Sequence, residues 1–305
     1  MYKYYKKDDY NIMEYNFDSI TEFLEYIDNT PINDEVYGNK TLESEKNGYD
    51  FFETNSFEEA ENLCKYGYHE NFDKLLNLKI LLEKHLKMSP KKNKQYNYYV
   101  GYAPNVKAYL EGNPLSMFNR ENPKREHIDI YYNAANLSEV STEQIFNRGA
   151  ITLSIVEILE NMNFSVGLNI FTMSESSGQI HYVKLNLKRS GERLNIQKLF
   201  FPLCHPSFFR RLVFRLMEET PDITSNWAYS YGTTCDDYTI RKVINLSEKD
   251  IVICRPEEMG VHGYDIIDDA NSMFDYVNQF TDDKINFDHI KNEQEIERIF
   301  KKTYK

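Results

Sequence analysis

At 305 residues with a formal net charge of −12, the chain can bury a sizeable core but is too acidic overall for a general nucleic-acid coat. Its 41% hydrophobic content suits a globular protein, and no apolar run approaches the ~20 residues of a transmembrane helix. Cys64, Cys204, Cys235 and Cys254 are widely spaced with no CxxC, as in a reduced cytoplasmic protein, and MYKYYKKDDY lacks the apolar segment of a signal peptide.

Phe17, Ile20, Leu24 and Ile27 predict an amphipathic helix over residues 17–29, with Pro31 after its end. Residues 30–55 are polar and turn-rich. Ser56, spaced from Glu59 as in a capping box, opens a second helix that Gly67 ends. Asn71 to Met88 is a third, apolar at Leu75, Leu76, Leu78, Ile80, Leu81 and Leu82. Residues 1–95 thus form a helical N-terminal region. SPKKNKQ is a loop, and residues 96–126 form a strap rich in Gly, Pro and aromatic side chains. The strap begins with strand-like alternation, and Val106, Tyr109 and Leu110 mark one helical turn. A loop of that composition is rarely only a tether.

Residues 127–305 read as an α/β domain. HIDIYYN is a strand. Ser141 and Gln144 form a capping box, and Ile151, Ile155, Ile158, Leu159 and Met162 recur on one face of the helix that follows. FSVGLNIF and IHYVKLNLK alternate as strands around the polar turn TMSESSGQ, which predicts an antiparallel hairpin. LNIQKLFF (194–201) reads as a strand. A helix opens at His205-Pro206, residues 221–236 form a loop carrying Trp227, and a short helix spans 236–245. The apolar run Ile251 to Cys254 reads as a central strand covered on both sides. Helices at 265–280 and 290–300 complete the chain.

Three stretches, SFEEAENLCKYGYHE, APNVKAYLEGNPLSMF and FNRGAITLSIVEILENMNFSVGLNIF, resemble blocks of an uncharacterised protein family encoded by bacteriophages and prophages, with LCHPSFFRRLVFRLMEE as a further block. They cover about a quarter of the chain. The resemblance implies a phage-related origin, hence the host cell cytoplasm, and no established activity. The element order is also similar to that of the von Willebrand factor A fold. The expected class is therefore α/β: a mixed, mostly parallel sheet with one antiparallel hairpin, flanked by helices, plus the helical N-terminal region. The metal site of that fold uses a DxSxS pattern after the first strand. Here the corresponding positions are Asn133, Ala135 and Leu137, and the later strand runs into Arg255-Pro256, so a hard cation lacks its oxygen ligands.

Few residues suggest chemistry. Cys204 adjoins His205, but a Cys/His pair needs spatial rather than sequential proximity, so they read as a core thiol and a helix-start imidazole. Cys235, Asp236, Asp237, Cys254 and His262 have no standard zinc spacing. Asp268-Asp269 and Asp282-Asp283 read as solvated charges. GxGxxG and GxxxxGK[ST] are absent. No catalytic residue, metal ligand or cofactor is assigned. Arg148 lies near a helix N-terminus, where a cation is unfavourable unless paired; Glu175, Asp129 or an anionic ligand are candidate partners. Arg148 and Asp129 are therefore candidate binding residues, joined by His205, Arg210, Arg211 and Arg215 on a basic face.

Residues 71–130 carry 11 Lys/Arg against 6 Asp/Glu, and residues 184–215 carry 8 against 1. Together they define an alternative, a nucleic-acid-binding protein with a local basic patch. The leading expectation is a non-catalytic module that binds a protein partner, with no membrane association. Its 24 tyrosines suit an interface. A hydrolase with no recognisable motif is the third reading.

Overall fold

The computed structural model describes residues 2–31, 49–85, 95–120, 125–176, 178–219, 234–247, 249–279, 287 and 289–290. Two strands that the sequence did not announce open the chain. β1 (Tyr2–Lys7) and β2 (Tyr10–Phe17) pair antiparallel around a turn in which Asp8 adopts a left-handed backbone. Met13, Tyr15 and Phe17 are buried on one face and alternate with half-buried Glu14 and exposed Asn16, and Ile12 adds a buried residue on the other face. β2 then pairs parallel with a strand 168 residues later, Asn11 opposite Gln179, so residues 10–17 share the sheet of the C-terminal half.

The helices of the N-terminal region follow: α1 (Ile20–Asn29), the single turn α2 (Tyr49–Phe52), α3 (Phe57–Tyr66) and α4 (Phe72–His85). Ser19 and Ser56 cap α1 and α3 by accepting the Glu22 and Glu59 amides. Glu59 does not complete a capping box; its carboxylate takes the Asn55 amide instead. The strap is a small unit of its own: β3 (Gln95–Tyr98), β4 (Ala103–Pro104) and β5 (Met117–Arg120) in the order β3-β5-β4, with the turn α5 (Val106–Leu110).

The centre is β6 (Glu126–Asn133), α6 (Thr142–Asn161), β7 (Phe164–Ser176) and β8 (Gln179–Lys188). The capping box of α6 is complete, with Ser141 and Gln144 each accepting the other's amide. Residues 194–201 are not a strand. Asn195 caps a helix, α7 (Ile196–Cys204), whose last six residues are all buried. A segment hidden on every side has no visible period, which is why its apolar run was ambiguous. A π-helical stretch, Phe208–Val213, leads into α8 (Phe214–Glu219). α9 (Asp237–Val243), β9 (Ile251–Ile253) and α10 (Ile266–Asn278) complete the described elements. The Trp227 loop and the predicted helix at 290–300 fall outside the described residues.

The main sheet runs β1-β2-β8-β7-β6-β9. β2–β8, β7–β6 and β6–β9 are parallel, while β1–β2 and β7–β8 are antiparallel. The fold is α/β with a mixed, mostly parallel sheet flanked by helices, as the sequence predicted, with the N-terminal hairpin as an addition. β9 is fully buried as expected, yet among the described residues it closes one edge of the sheet rather than lying at its centre. α6 packs on β7 and against α4, α7 and α10.

α6 and α7 approach each other closely at Gly149. A Cβ there would stand 2.3 Å from the Leu203 carbonyl oxygen and 2.6 Å from the Cys204 sulfur. Backbone cannot yield at such distances without separating α6 from α7. Helix propensity alone would make Gly149→Ala stabilising by about 1 kcal/mol. The packing predicts the opposite sign, a loss of about 2 kcal/mol or more, because overpacking a tight contact forces the backbone apart. The shift of the denaturant midpoint measures the sign directly.

Candidate functional site

β6 and β9 run parallel and end together. At their carboxyl ends the chain builds a polar frame from side chains and backbone. Asn133 accepts the Ala135 amide at 3.0 Å and donates to the Thr234 hydroxyl at 3.1 Å. Asn136 donates to the Ala134 carbonyl at 2.8 Å. Arg148, in the second turn of α6, fills the space between the two strand ends. Its Nε donates to the Tyr132 hydroxyl (3.0 Å), Nη1 to the Cys254 carbonyl (2.8 Å) and Nη2 to Asn136 Oδ1 (2.9 Å). The guanidinium also lies over the Tyr132 ring, 4.5 Å from its centroid. Arg148 is fully buried. Its guanidinium donates to a phenol, a backbone carbonyl and an amide, and among the described residues not to Glu175, Asp129 or any other carboxylate.

The other candidate arginines also face inward. Arg210 donates to the carbonyls of Phe51 and Val140, both at 2.8 Å, and stacks on Phe51. Arg211 donates to the Thr54 hydroxyl and carbonyl, both at 2.7 Å, and stacks on Phe52. Arg215 pairs with Glu219 at 2.7 Å. These contacts clamp residues 51–54 against the π-helical stretch, where Ser207 joins in through Thr54 and the Phe52 carbonyl. Asp129 stands apart at the start of β6, with His127 Nε2 at 3.2 Å and its amide donating to Asp250. The structure thus separates Asp129 from the other five, and among those five His205 is the one that reaches a cavity.

That cavity, about 290 Å³, opens at the carboxyl edge of the sheet beside the N-termini of α6 and α10. Thr142, Glu143, Phe146 and Asn147 form its floor from α6, and Gly263 and Tyr264 form one wall. Tyr68, Glu70 and Asn71 come from the α3–α4 connection and Lys74 from the first turn of α4, while Glu53 and His205 complete the rim. Glu53 and Asn71 have φ values of +56° and +61°, left-handed conformations that cost free energy for residues other than glycine. The Thr142 hydroxyl donates to the Glu53 carboxylate. Asp269 fixes the opposite wall. It is 1% exposed and accepts from the amides of His262 (2.7 Å) and Gly263 (3.0 Å) and from Asn147 (2.7 Å). It is therefore a buried anchor, whereas the sequence suggested a solvated doublet.

Burial suppresses chemistry at the cavity. The Cys204 thiol is pushed well above its ordinary value by desolvation, so it is not a thiolate nucleophile. Desolvation lowers the His205 pKa to about 4, which leaves the ring neutral at pH 7. Its Nδ1 accepts the Ser207 amide at 3.2 Å, so Nε2 carries the proton of the neutral ring. Among the described residues no group of three or more His, Cys, Asp or Glu side chains is placed to hold a metal ion. Cys254 meets Asp237 and Tyr276 instead.

A second surface lies on the strap. Tyr98, Tyr99, Val100, Tyr102, Val106, Tyr109 and Leu110 are between 49% and 78% exposed. Gly101 permits the tight crossing beneath them, since a Cβ there would stand 2.0 Å from the Phe118 carbonyl oxygen.

A family model for a domain of unknown function, DUF7192, matches residues 3–302. The chain belongs to the DUF7192 family. No curated protein and no solved structure matches it. The match spans the strap, the cavity and the N-terminal hairpin together. Among the described residues no helix is long and apolar enough to cross a membrane.

His205 makes acid stability informative. The unfolded ring titrates near 6.5 and the folded ring near 4, so between these values the unfolded chain binds more protons and stability falls as pH drops. His205→Asn should reduce that loss between pH 7 and 4 by roughly 3 kcal/mol, a value expected from the shift alone. His181, also lowered to about 4, supplies a similar slope in both proteins. Parallel unfolding curves across this range would contradict the assignment.

Proposed function

We propose that this chain is a non-catalytic protein-interaction module, an accessory or host-takeover factor of phage or prophage origin acting in the host cytoplasm. The observation that carries the reading is the strap. Seven large apolar or aromatic side chains stand exposed within thirteen consecutive positions, 98–110. Water-exposed apolar surface of that density is costly unless a partner covers it, and tyrosine is favoured in such contacts. The suppressed thiol and neutral imidazole at the cavity weigh against a hydrolase using Cys204 and His205. The phage origin rests on the sequence blocks quoted above.

The four-strand order β8-β7-β6-β9, with β7–β8 antiparallel, supports the von Willebrand factor A-like reading of the central strands. On that reading the cation site would lie where Asn133, Ala135 and Leu137 follow β6. The neighbouring space already holds the fixed guanidinium of Arg148. For the nucleic-acid alternative, the block 184–215 has less free charge than its composition suggests: Lys188, Arg210 and Arg211 are buried.

The test is capture with the tagged chain from host cells under high salt and nuclease, followed by affinity measurement with the purified partner. Tyr99→Ser, Tyr102→Ser and Tyr109→Ser combined should weaken binding by about 30-fold or more, the scale of an interface hot spot, without moving thermal unfolding. Undiminished affinity in the triple variant would overturn the assignment of the strap. Recovery of nucleic acid that disappears at high salt would favour the alternative.

A further inference from the structure

We propose that the cavity at the carboxyl edge of the sheet binds a small organic cation, a primary amine or guanidinium that also carries an oxygen acceptor. The site is separate from the strap, so this inference and the interaction reading fail independently.

Position comes first. In open α/β sheets, ligands bind outside the carboxyl ends of the strands, where neighbouring connections diverge. β6 has parallel neighbours on both sides, β7 and β9, and the cavity opens between the segments that follow β6 and β9.

Charge gives the ligand's sign. Glu53, Glu70 and Glu143 line the cavity with one cation, Lys74, whose ammonium lies 5.9 Å from the Phe146 ring centroid, so carboxylates outnumber it three to one. Glu70 and Glu143 have no ion-pair or hydrogen-bond partner among the described residues, and the Thr142 hydroxyl orients Glu53. Tyr68, Phe146 and Tyr264 contribute aromatic surface, which attracts a cation through the ring quadrupole. A carboxylate set with aromatic walls selects against anions.

His205 supplies the second requirement. It is 6% exposed, lies between Tyr68 and Phe201, and lines the cavity. With Nδ1 taken by the Ser207 amide, its Nε2–H has no partner among the described residues. A nearly buried donor at a cavity wall calls for an acceptor on whatever fills that cavity. Among the described residues, two of the four left-handed residues other than glycine, Glu53 and Asn71, sit on this rim. Such conformations persist where surrounding contacts impose them, and they cluster at ligand sites. The volume of about 290 Å³ suits a metabolite-sized molecule or one side chain rather than a peptide segment.

A free amine and an arginine or lysine side chain share this chemistry, and the experiment separates them. Full-length protein is titrated calorimetrically with L-arginine, agmatine, a Gly-Arg-Gly peptide, and an isostere with no positive charge, Nα-acetyl-citrulline amide (citrulline below). Arginine should bind, agmatine more weakly because it offers His205 no acceptor, and citrulline more weakly than arginine by about tenfold or more through loss of charge-assisted hydrogen bonds. Binding of the peptide alone would assign the site to a partner's side chain. Glu70→Gln with Glu143→Gln, both at solvent-exposed positions, should weaken the cation by about tenfold or more at unchanged thermal stability. His205→Asn should lower affinity for arginine more than for agmatine, which lacks the carboxylate. Absence of binding by every cationic probe at millimolar concentration would overturn the proposal. So would citrulline binding as tightly as arginine, or unaltered binding in the double variant.

Discussion

The buried guanidinium of Arg148 is the constraint on which the carboxyl half of the sheet depends. An isolated cation is expensive to bury, and this one is held by dipoles rather than by a carboxylate. Its three acceptors belong to the end of strand β6, the loop beyond it, and the residue that follows β9. The Tyr132 hydroxyl, which accepts from Arg148, donates in turn to the Leu203 carbonyl at 2.8 Å and so extends the network to α7. One side chain therefore ties together the ends of two paired parallel strands and joins them to the helix that brings His205 to the cavity. Gly149, the next residue, permits the contact with α7 that this network requires.

Arg210 and Arg211 repeat the device on a second segment. Their planar forks reach backbone carbonyls while their faces stack on Phe51 and Phe52. A lysine offers neither the fork nor the flat face. The outcome is a chain that keeps several of its positive charges inside as fasteners. The clamp on residues 51–54 also holds Glu53 in its left-handed conformation, which links the internal arginines to the acidic character of the cavity.

Much of the central fold was legible in local pattern. Ser141 and Gln144 announced α6, and alternation from Phe164 to Lys188 announced the β7–β8 hairpin, because each carries a periodic signal within one element. β2 and α7 were not legible in the same way. The run from Leu199 to Cys204 is buried throughout and shows no clean period, whereas Met13, Tyr15 and Phe17 do alternate with Glu14 and Asn16, a short signal that runs straight into the helical pattern beginning at Phe17. The site was harder still. His205 was singled out for its neighbour Cys204, yet what matters is the cavity it faces. Glu53, Glu70, Glu143 and Tyr264 meet only through tertiary folding, across some two hundred residues. Arg148 stood out because a cation near a helix start needs a partner; that the partners would be neutral depends on where β9 ends, which no local pattern reveals.

The most direct test of this account is equilibrium unfolding of Arg148→Lys and Arg148→Met beside the wild type. Lysine retains the charge but cannot reach three divergent acceptors, and methionine removes the charge while retaining much of the volume. If the guanidinium holds the strand ends together, both variants lose about 3 kcal/mol or more, the scale expected when a buried polar network is left without one member. If Arg148→Met unfolds at the wild-type denaturant concentration, the strand ends are held by packing alone, and the central place given to Arg148 is wrong.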